Sequence, residues 1–576
     1  FNSLTVTLSA DAVVADVTDR LDDLLAPYGG TGAYGRDKQE SNAFVDAELA
    51  ELRSMSIILP PIFFGITAFL VNMVIGRIVF LERSEIGLLK AIGYSNFSVA
   101  VHYLMLAALV AIVGVAAGWG AGTWLTYGLA SLYARFFDFP FLIFHMAYES
   151  YAVSGLLAIG SAALGALQSA LRAARMAPAV AMLPPAPPRF KRSLLDRLFH
   201  AIRLSQPAMM ILRSLMRWPL RTGFSALGVA FAVSILVASN FFMDSLDKIV
   251  ETAFFEGNRQ NAMLILSQDA PLISVEEARR LPGVLEAEPQ QFTMAMLRNG
   301  HLEKRVPIEA RPPGTDLSRI IDGSGRVLDA PEGGILLAQR LADQLEVRPG
   351  DLLEVDFLTG RRETVELPVA GTVTQYFGLG AYVDMGTLNR LFRQAPQISA
   401  INVTLDEARM AEFYAALKDI PAISSTVMLT EVRRSFQDTI RQNVGYMTTI
   451  YITVAVLITV GVAYNSARIQ LSERARELAS LRILGFTKAE VSFVLVGETM
   501  LVALIAQPLG WLLGTGIAFA SIKGFTSDLY RIPLVLKPHT FSTASLIVLA
   551  AALGAALVVR RRLDRLDLVA VMKTRE

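Results

Sequence analysis

A chain of 576 residues with 53 Lys and Arg against 52 Asp and Glu has a net charge of only +1, and its charges are segregated along the sequence. Charged residues make up 18% and hydrophobic residues 53%; soluble domains average roughly 25% charged, so this balance and a mean hydropathy of +0.45 exclude an ordinary soluble protein. The absence of cysteine excludes disulfides, thiolate chemistry and Cys-based zinc sites. His102, His145, His200, His301 and His539 are scattered without ligand spacing, and neither a metal nor a nucleic-acid partner is expected.

Residues 1–53 are polar, with a strand expected at Leu4–Leu8 and a helix at Asp11–Leu25. The opening Phe1 and the lack of a basic n-region read as a processed or truncated product. A hydrocarbon core needs about 20 apolar residues per helix, and seven stretches qualify: 57–80, 98–128, 150–171, 222–243, 446–467, 491–520 and 541–559. The connection Arg172–Arg221 holds ten basic residues against Asp196 alone, and the tail from Arg560 is also basic. These segments share one side with Arg83, Lys90, Arg474, Arg476, Arg482 and Lys488, so that side is read as cytoplasmic. Pro178–Pro188, with five prolines, reads as an extended linker.

Between spans four and five, residues 244–440 read as a mixed α/β domain. Strands are expected at Ala262–Ser267, Gly334–Leu337, Leu352–Phe357 and Ala400–Leu405 between turn signals. Helices are expected at Ser274–Arg280, opened by a Ser-x-x-Glu cap, at Ala338–Gln344 and at Asp406–Leu417. The predicted division is a C-terminal remnant of a first extracytoplasmic domain (1–53) and a three-span membrane module (54–176). A basic Pro-rich linker and elbow (177–221), a transmembrane helix (222–243), the α/β domain (244–440) and a second three-span module with a basic tail (441–576) follow. Span four follows the first module and precedes a large extracytoplasmic region, whereas span one follows only a short polar lead. The expectation is a full architecture of eight spans, with a first helix and most of a first extracytoplasmic domain lying upstream.

The two modules contain one repeated unit at a constant spacing of 392. Glu85, Leu89, Lys90, Gly93, Tyr94 and Ser95 correspond to Glu477, Leu481, Arg482, Gly485, Phe486 and Thr487, and Gly118–Trp119 to Gly510–Trp511. A fixed period reveals the building block of a chain before its details. Here the block is a short amphipathic helix, with Ile86, Leu88, Leu89 and Ile92 at helical spacing, a glycine stop and a long apolar helix. Ser95 can cap that helix, and Thr487 with Glu490 forms a Thr-x-x-Glu capping box. A single copy could be a merely interfacial turn with basic anchors; two copies with the same glycine, aromatic and hydroxyl positions favour a docking element.

The strings ERSEIGLLKAIGYS (82–95) and ERARELASLRILGFT (473–487) resemble the cytoplasmic signature of FtsX-like permeases, the type VII ABC transporter group. RSLMRWPLRT (213–222) resembles the elbow before their first helix, and GGILLAQRLADQLEVRPGD (333–351) is similar to their MacB-like extracytoplasmic domain. The tails Arg172–Met182 and Arg562–Met572 match each other and the family's end pattern. The two copies depart by one residue in the distance from the Glu-Arg pair to the shared Glu. The resemblance implies a polytopic α-helical membrane protein with two FtsX-type modules and an inserted α/β MacB-like domain, located in the inner (plasma) membrane. It implies a permease without chemistry of its own, and no phosphate-loop motif occurs in the sequence. ATP-Mg would sit on a separate cytoplasmic ABC ATPase dimer, docked through Glu85–Ser95 and Glu477–Thr487. Further expected partners are membrane lipid and a periplasmic adaptor or hydrolase.

Gly114, Gly118 and Gly122, and likewise Gly510 and Gly514, lie on one helix face and are expected to be helix-packing ridges. Glu498 and His102 are shallow enough for structural or interfacial roles, and Asn72, Asn240, Gln168 and Gln507 for interhelical hydrogen bonds. The Phe377–Tyr382 loop reads as a turn rather than a partner contact. The expected function is transmission of ATPase motion to extracytoplasmic domains, for export or extraction of a lipid, lipoprotein or hydrophobic compound. Rival readings are a regulator of a cell-wall hydrolase, and an ion-driven transporter, for which the expected paired deep carboxylates are missing.

Overall fold

The computed structural model describes residues 4–9, 11–28, 30, 32–36, 39–136, 143, 145, 147–182, 205–217, 219–359, 362–376, 378–473, 480–524 and 532–563. The chain forms two compact units: Phe1–Ser54, Phe242–Asn443 and Ile522–Val535 make the first, and Met55–Phe241, Val444–Ser521 and Leu536–Glu576 the second.

The first unit is built on β-structure. Its helices are α1 (Val14–Leu25), the start of α2 (Glu40–Leu81), α9 (Ser274–Arg279), α10 (Gln339–Gln344), α11 (Met385–Leu391) and α12 (Met410–Leu417). Strands β1 (Ala262–Pro271), β2 (Val284–Asn299), β3 (Leu302–Arg311), β6 (Ile335–Ala338), β7 (Leu352–Phe357), β8 (Thr364–Val373), β9 (Ala381–Asp384), β10 (Gln397–Leu405) and β11 (Ile423–Met428) form one sheet in the order β11-β1-β10-β2-β3-β9-β6-β8-β7. The short β4 (Ile320–Ile321) and β5 (Val327–Leu328) pair separately. The sixteen residues of β2 serve two neighbours on one edge: Glu286–Gln290 pair with β10 and Ala295–Arg298 with β7, which closes the far end of the sheet onto itself. Alternate residues of these strands point into one core, where Leu264, Leu297, Ile308, Leu337, Phe357 and Phe413 are fully enclosed. Asp384 caps α11 by accepting from Thr387 N at 2.8 Å.

Residues 4–9 are irregular rather than a strand, because no described strand offers the ladder that its backbone groups would need. At α9 the preceding residue Ile273 is the cap and no side-chain cap bond forms, so Ser274 is already helical and the expected capping box is absent. The predicted helix at Asp406–Leu417 is a 3₁₀ turn, Glu407–Arg409, with Asp406 accepting from Ala408 N at 3.0 Å, followed by α12. Arg305 of β3 lies over the Tyr34 ring at 4.6 Å and its Nη1 donates to Gly32 O at 3.2 Å, and Arg362, just before β8, donates to Gly30 O. Within this unit a π-helical turn, Glu251–Gly257, extends α8 (Pro219–Val250). Phe254 and Phe255 there meet Phe436 (5.3 Å) and the Arg433 guanidinium (4.4 Å) at the start of α13 (Leu429–Glu473).

The second unit is helical. Among the described residues seven helices are long and apolar enough to cross a membrane: Pro60–Leu81, Asn96–Ser131, Tyr148–Arg175, Thr222–Gly257, Gly445–Arg468, Lys488–Ile522 and Pro538–Arg561. They lie in α2, α4 (Asn96–Phe136), α5 (Tyr148–Arg175), α8, α13, α14 (Lys488–Gly524) and α15 (Pro538–Leu563). Small residues set their spacing, because in lipid close backbone approach replaces the hydrophobic drive. In the first module the approach is between α2 and α5: a Cβ on Gly165 would stand 2.2 Å from Ala68 O, and one on Gly76 would stand 2.9 Å from Ser169 Oγ. Asn72 Nδ2 donates across the same contact to Gly165 O at 2.7 Å. In the second module α14 approaches α8, where a Cβ on Gly510 would meet Val233 Cβ at 2.5 Å and one on Gly514 would meet Val237 Cβ at 2.6 Å.

Gly114, Gly118 and Gly122 depart from expectation: no described atom lies within 4 Å of the Cβ position of any of them. The close-packing ridge of the first module is on α5 instead, where Ala162, Gly165, Ala166, Ser169, Ala170 and Ala173 are buried. Helix α8 is the centre of this unit, with 67% of its apolar window buried. Phe69 of α2 reaches its Phe224 and Phe231 rings at 5.8 and 5.9 Å, and Val462 of α13 packs on its Gly228.

Candidate functional site

In the first copy α2 ends at Leu81, Glu82 makes a one-residue turn, and α3 (Arg83–Ala91) begins. The helix closes through paired bonds, Gly93 N–H to Lys90 O (3.2 Å) and Tyr94 N–H to Leu89 O (3.1 Å), with Gly93 at φ +106°. This Schellman closure needs a left-handed residue at that point, which glycine adopts without a Cβ clash. In the second copy Gly485 N–H bonds Arg482 O (3.2 Å), Phe486 N–H bonds Leu481 O (3.0 Å), and Gly485 stands at φ +98°. The two turns therefore carry the same hydrogen bonds at the same spacing as the sequence repeat.

The next helix is capped in both. Ser95 Oγ accepts from Ser98 N at 3.1 Å. Thr487 Oγ1 accepts from Glu490 N (3.2 Å) while the Glu490 carboxylate accepts from Thr487 N (2.8 Å), the reciprocal capping box read from the sequence. Glu477 lies outside the described residues, so the acidic pair Glu85 and Glu477 can be placed only at Glu85, which is exposed.

The side chains divide differently from the periodic stripe. Ile86 and Gly87 are the buried pair of α3, whereas Leu88, Leu89, Ile92 and Tyr94 are exposed, Ile92 at 68%. In the second copy Ile483 and Leu484 are exposed, Leu484 at 76%, and Leu481 and Phe486 are half-buried. An open row of large apolar groups beside a membrane edge is a surface suited to a partner.

Lys90 does not belong to that open face. Its Nζ donates to Ala174 O (2.7 Å) and Met176 O (2.6 Å), the last carbonyls of α5, where an ammonium also offsets the negative helix end. Gly87 brings α3 against α6 (Pro178–Met182): a Cβ there would meet Ala181 Cβ at 2.9 Å and Pro178 O at 3.1 Å. Gly87 was missed by the sequence reading; a glycine inside a helix costs about 1 kcal/mol against alanine, and that cost was the available signal. Short α3 is thus fixed to the end of span three by Lys90 and Gly87 and presents its remaining apolar side chains outward.

Glu498 lies beside the elbow helix α7 (Gln206–Arg217). Ser214 Oγ donates to Glu498 Oε1 at 3.0 Å, with both residues buried, and a Cβ on the adjacent Gly497 would meet Ile211 Cδ1 at 2.7 Å. This is a structural joint between elbow and span six. Gln507 donates to Ala503 O of its own helix at 2.7 Å, not across helices. Among the described residues no group of His, Asp or Glu has a metal-site arrangement.

Comparison with known proteins matches the FtsX-like permease C-terminal family to residues 57–178 and again to 449–568, and the MacB-like periplasmic core domain to 222–420. An uncharacterized ABC transporter permease protein of Mycobacterium tuberculosis is 26% identical over 262 residues, which is 44% of this chain. The chain spans 28% of that relative's length. Two solved structures are similar to parts of it. The extracellular domain of the noncanonic ABC-type transporter YknZ from Gram-positive bacteria is 12% identical (TM-score 0.20, 26% of this chain and 85% of that one). The periplasmic region of MacB from Actinobacillus actinomycetemcomitans is 13% identical (TM-score 0.23, 31% and 92%). The doubled FtsX match falls on the two modules that carry the repeated turn, with the MacB-like match between them: the chain is a multi-pass membrane protein of the FtsX-like, MacB-like ABC transporter permease family.

Proposed function

We propose that this chain receives motion from a cytoplasmic ABC ATPase dimer, which holds the ATP-Mg, at α3 and at the matching segment ending at Gly485. The permease passes that motion to its extracytoplasmic domain in the inner membrane. One observation carries the reading: two short segments share the same Schellman closure and each exposes large apolar side chains at the membrane edge. A paired ATPase needs two equivalent contacts, and this single chain supplies both. The site residues proposed for that contact are Glu85, Leu89, Tyr94 and Ser95 with Glu477, Leu481, Arg482, Phe486 and Thr487. Gly93 and Gly485 fix the shape of each turn, and Lys90 anchors the first. The cargo class is amphiphilic, a lipid, lipoprotein or hydrophobic compound, by analogy with the family.

The test is ATPase stimulation by the reconstituted permease, using the ATPase that co-purifies with it. Wild-type permease is expected to stimulate hydrolysis, and Leu88→Glu with Leu484→Glu to abolish stimulation while the thermal unfolding of the permease is unchanged. Full stimulation by that folded double variant would refute the docking assignment.

A further inference from the structure

Helix α5 has two distinct faces at its basic end. Its small residues Gly165, Ser169, Ala170 and Ala173 are buried, with Gly165 and Ser169 set against α2. This leaves Gln168, Leu171, Arg172 and Arg175, spaced three and four apart, on the exposed face. Those four residues and Met176 line a cavity of about 420 Å³. Among the described residues, neither the Arg172 nor the Arg175 guanidinium has a hydrogen-bond or ion-pair partner, so two unpaired positive charges line one open recess. The last carbonyls of a helix ordinarily repel an anion. Here Ala174 O and Met176 O are occupied by Lys90 Nζ, which removes that repulsion and adds a third cation at the same helix end.

We propose that this cavity binds the phosphodiester of an anionic phospholipid. The planar guanidinium fork matches phosphate oxygens in a bidentate way, and Gln168 supplies a neutral donor at the same rim. Leu171 and Met176 present apolar surface to the glycerol and first acyl carbons, so the site matches an amphiphile better than a free anion. It lies where span three, Tyr148–Arg175, reaches its basic end, and clusters of basic residues at the ends of membrane helices attract anionic headgroups. This proposal does not depend on the ATPase reading; it stands on one helix end and its charges. Because Lys90 links the same end to α3, an occupied site would also stiffen the base on which α3 rests.

The experiment is lipid binding to the delipidated, detergent-purified full chain by native mass spectrometry, titrating phosphatidylglycerol and phosphatidylcholine separately. Wild-type protein is expected to bind phosphatidylglycerol more tightly. Each guanidinium contributes about fivefold near an anionic headgroup, so Arg172→Gln with Arg175→Gln should weaken phosphatidylglycerol roughly 25-fold and leave phosphatidylcholine unchanged. Arg468→Gln with Arg561→Gln removes two exposed charges at other helix ends and should preserve the preference. Unchanged phosphatidylglycerol affinity in the first double variant would overturn the proposal. An equal loss in the second would overturn it too, in favour of diffuse surface charge. Displacement of the lipid by glycerol 3-phosphate at matching concentration would assign the site to soluble phosphates instead, whereas resistance to that competitor supports the lipid.

Discussion

Helices α4 and α14 begin with the same repeat and carry the same pairs, Gly118–Trp119 and Gly122–Thr123 in one and Gly510–Trp511 and Gly514–Thr515 in the other, but they have different neighbours. Their tryptophans repeat their contacts: Trp119 Nε1 donates to Ser154 Oγ at 3.4 Å and its ring meets Tyr151 edge-on at 5.9 Å. Trp511 Nε1 donates to Ser545 Oγ at 3.0 Å and its ring meets Phe541 at 5.8 Å. Their glycines do not repeat. Gly510 and Gly514 are pressed onto α8, while Gly114, Gly118 and Gly122 face no described atom within 4 Å. A repeated residue therefore reports the inside of the building block reliably, and what lies outside it only where a second helix is present.

Substitution can break this comparison. The largest effect is expected at Gly165, where a valine would drive α2 from α5 against backbone; overpacking of this kind costs about 3 kcal/mol, read as a lowered midpoint of unfolding in detergent. Gly514→Val should cost a comparable amount by forcing Val237 and Ser234 O away. If Gly118→Val is as damaging as Gly514→Val in the same assay, the two faces are equivalent and the contrast is wrong.

Gly93→Ala and Gly485→Ala test the repeated part instead. Each forces a side chain into the left-handed region at about 1–2 kcal/mol, and equal losses in the two single variants would sharpen the equivalence of the two turns. A much smaller loss at one would show that its turn is only superficially shared. Lys90→Ala separates the copies further. It removes two charge-assisted bonds to α5, and amide hydrogen exchange should rise in 83–92 and leave 480–487 unchanged. Thr487→Ala should cost about 1 kcal/mol as a lost N-cap, and Ser95→Ala less, since its carboxylate counterpart is missing. The smallest effect is Gly118→Ala, expected to be neutral or to stabilise by up to about 1 kcal/mol through helix propensity.

The parts legible in the sequence were those encoded locally. Spans are set by twenty-residue apolar runs, and the Gly93 and Gly485 turns by one residue type that alone tolerates their φ. The capping box at Thr487 is written in four consecutive residues. The rest depended on partners distant in the chain. Nothing near Gly118 says that no described neighbour lies within 4 Å of its Cβ position, and nothing near Lys90 says that its ammonium reaches Ala174 O. Strands β2, β3, β8, β9 and β11 escaped notice because their pattern is set by cross-strand neighbours, as with Asn402 of β10, which donates to Gln290 of β2 at 2.6 Å. The helical spacing of Ile86, Leu88, Leu89 and Ile92 does not say which of them is covered, and only Ile86 is buried, because a helix nine residues long and packed at one corner buries one corner.

The central position of α8 has a consequence for how the chain is made. Its contacts come from Phe69, synthesised before it, and from Val462, Gly510 and Gly514, synthesised only after the whole intervening extracytoplasmic domain. During that interval the helix must wait in the bilayer with Gly228, Ala230, Val233 and Val237 turned toward lipid tails. Such small apolar groups lose nothing by contact with lipid, and they leave a smooth surface on which the late helices can slide into register. The order of translation therefore favours a core that is bland when alone and specific only when the last spans arrive.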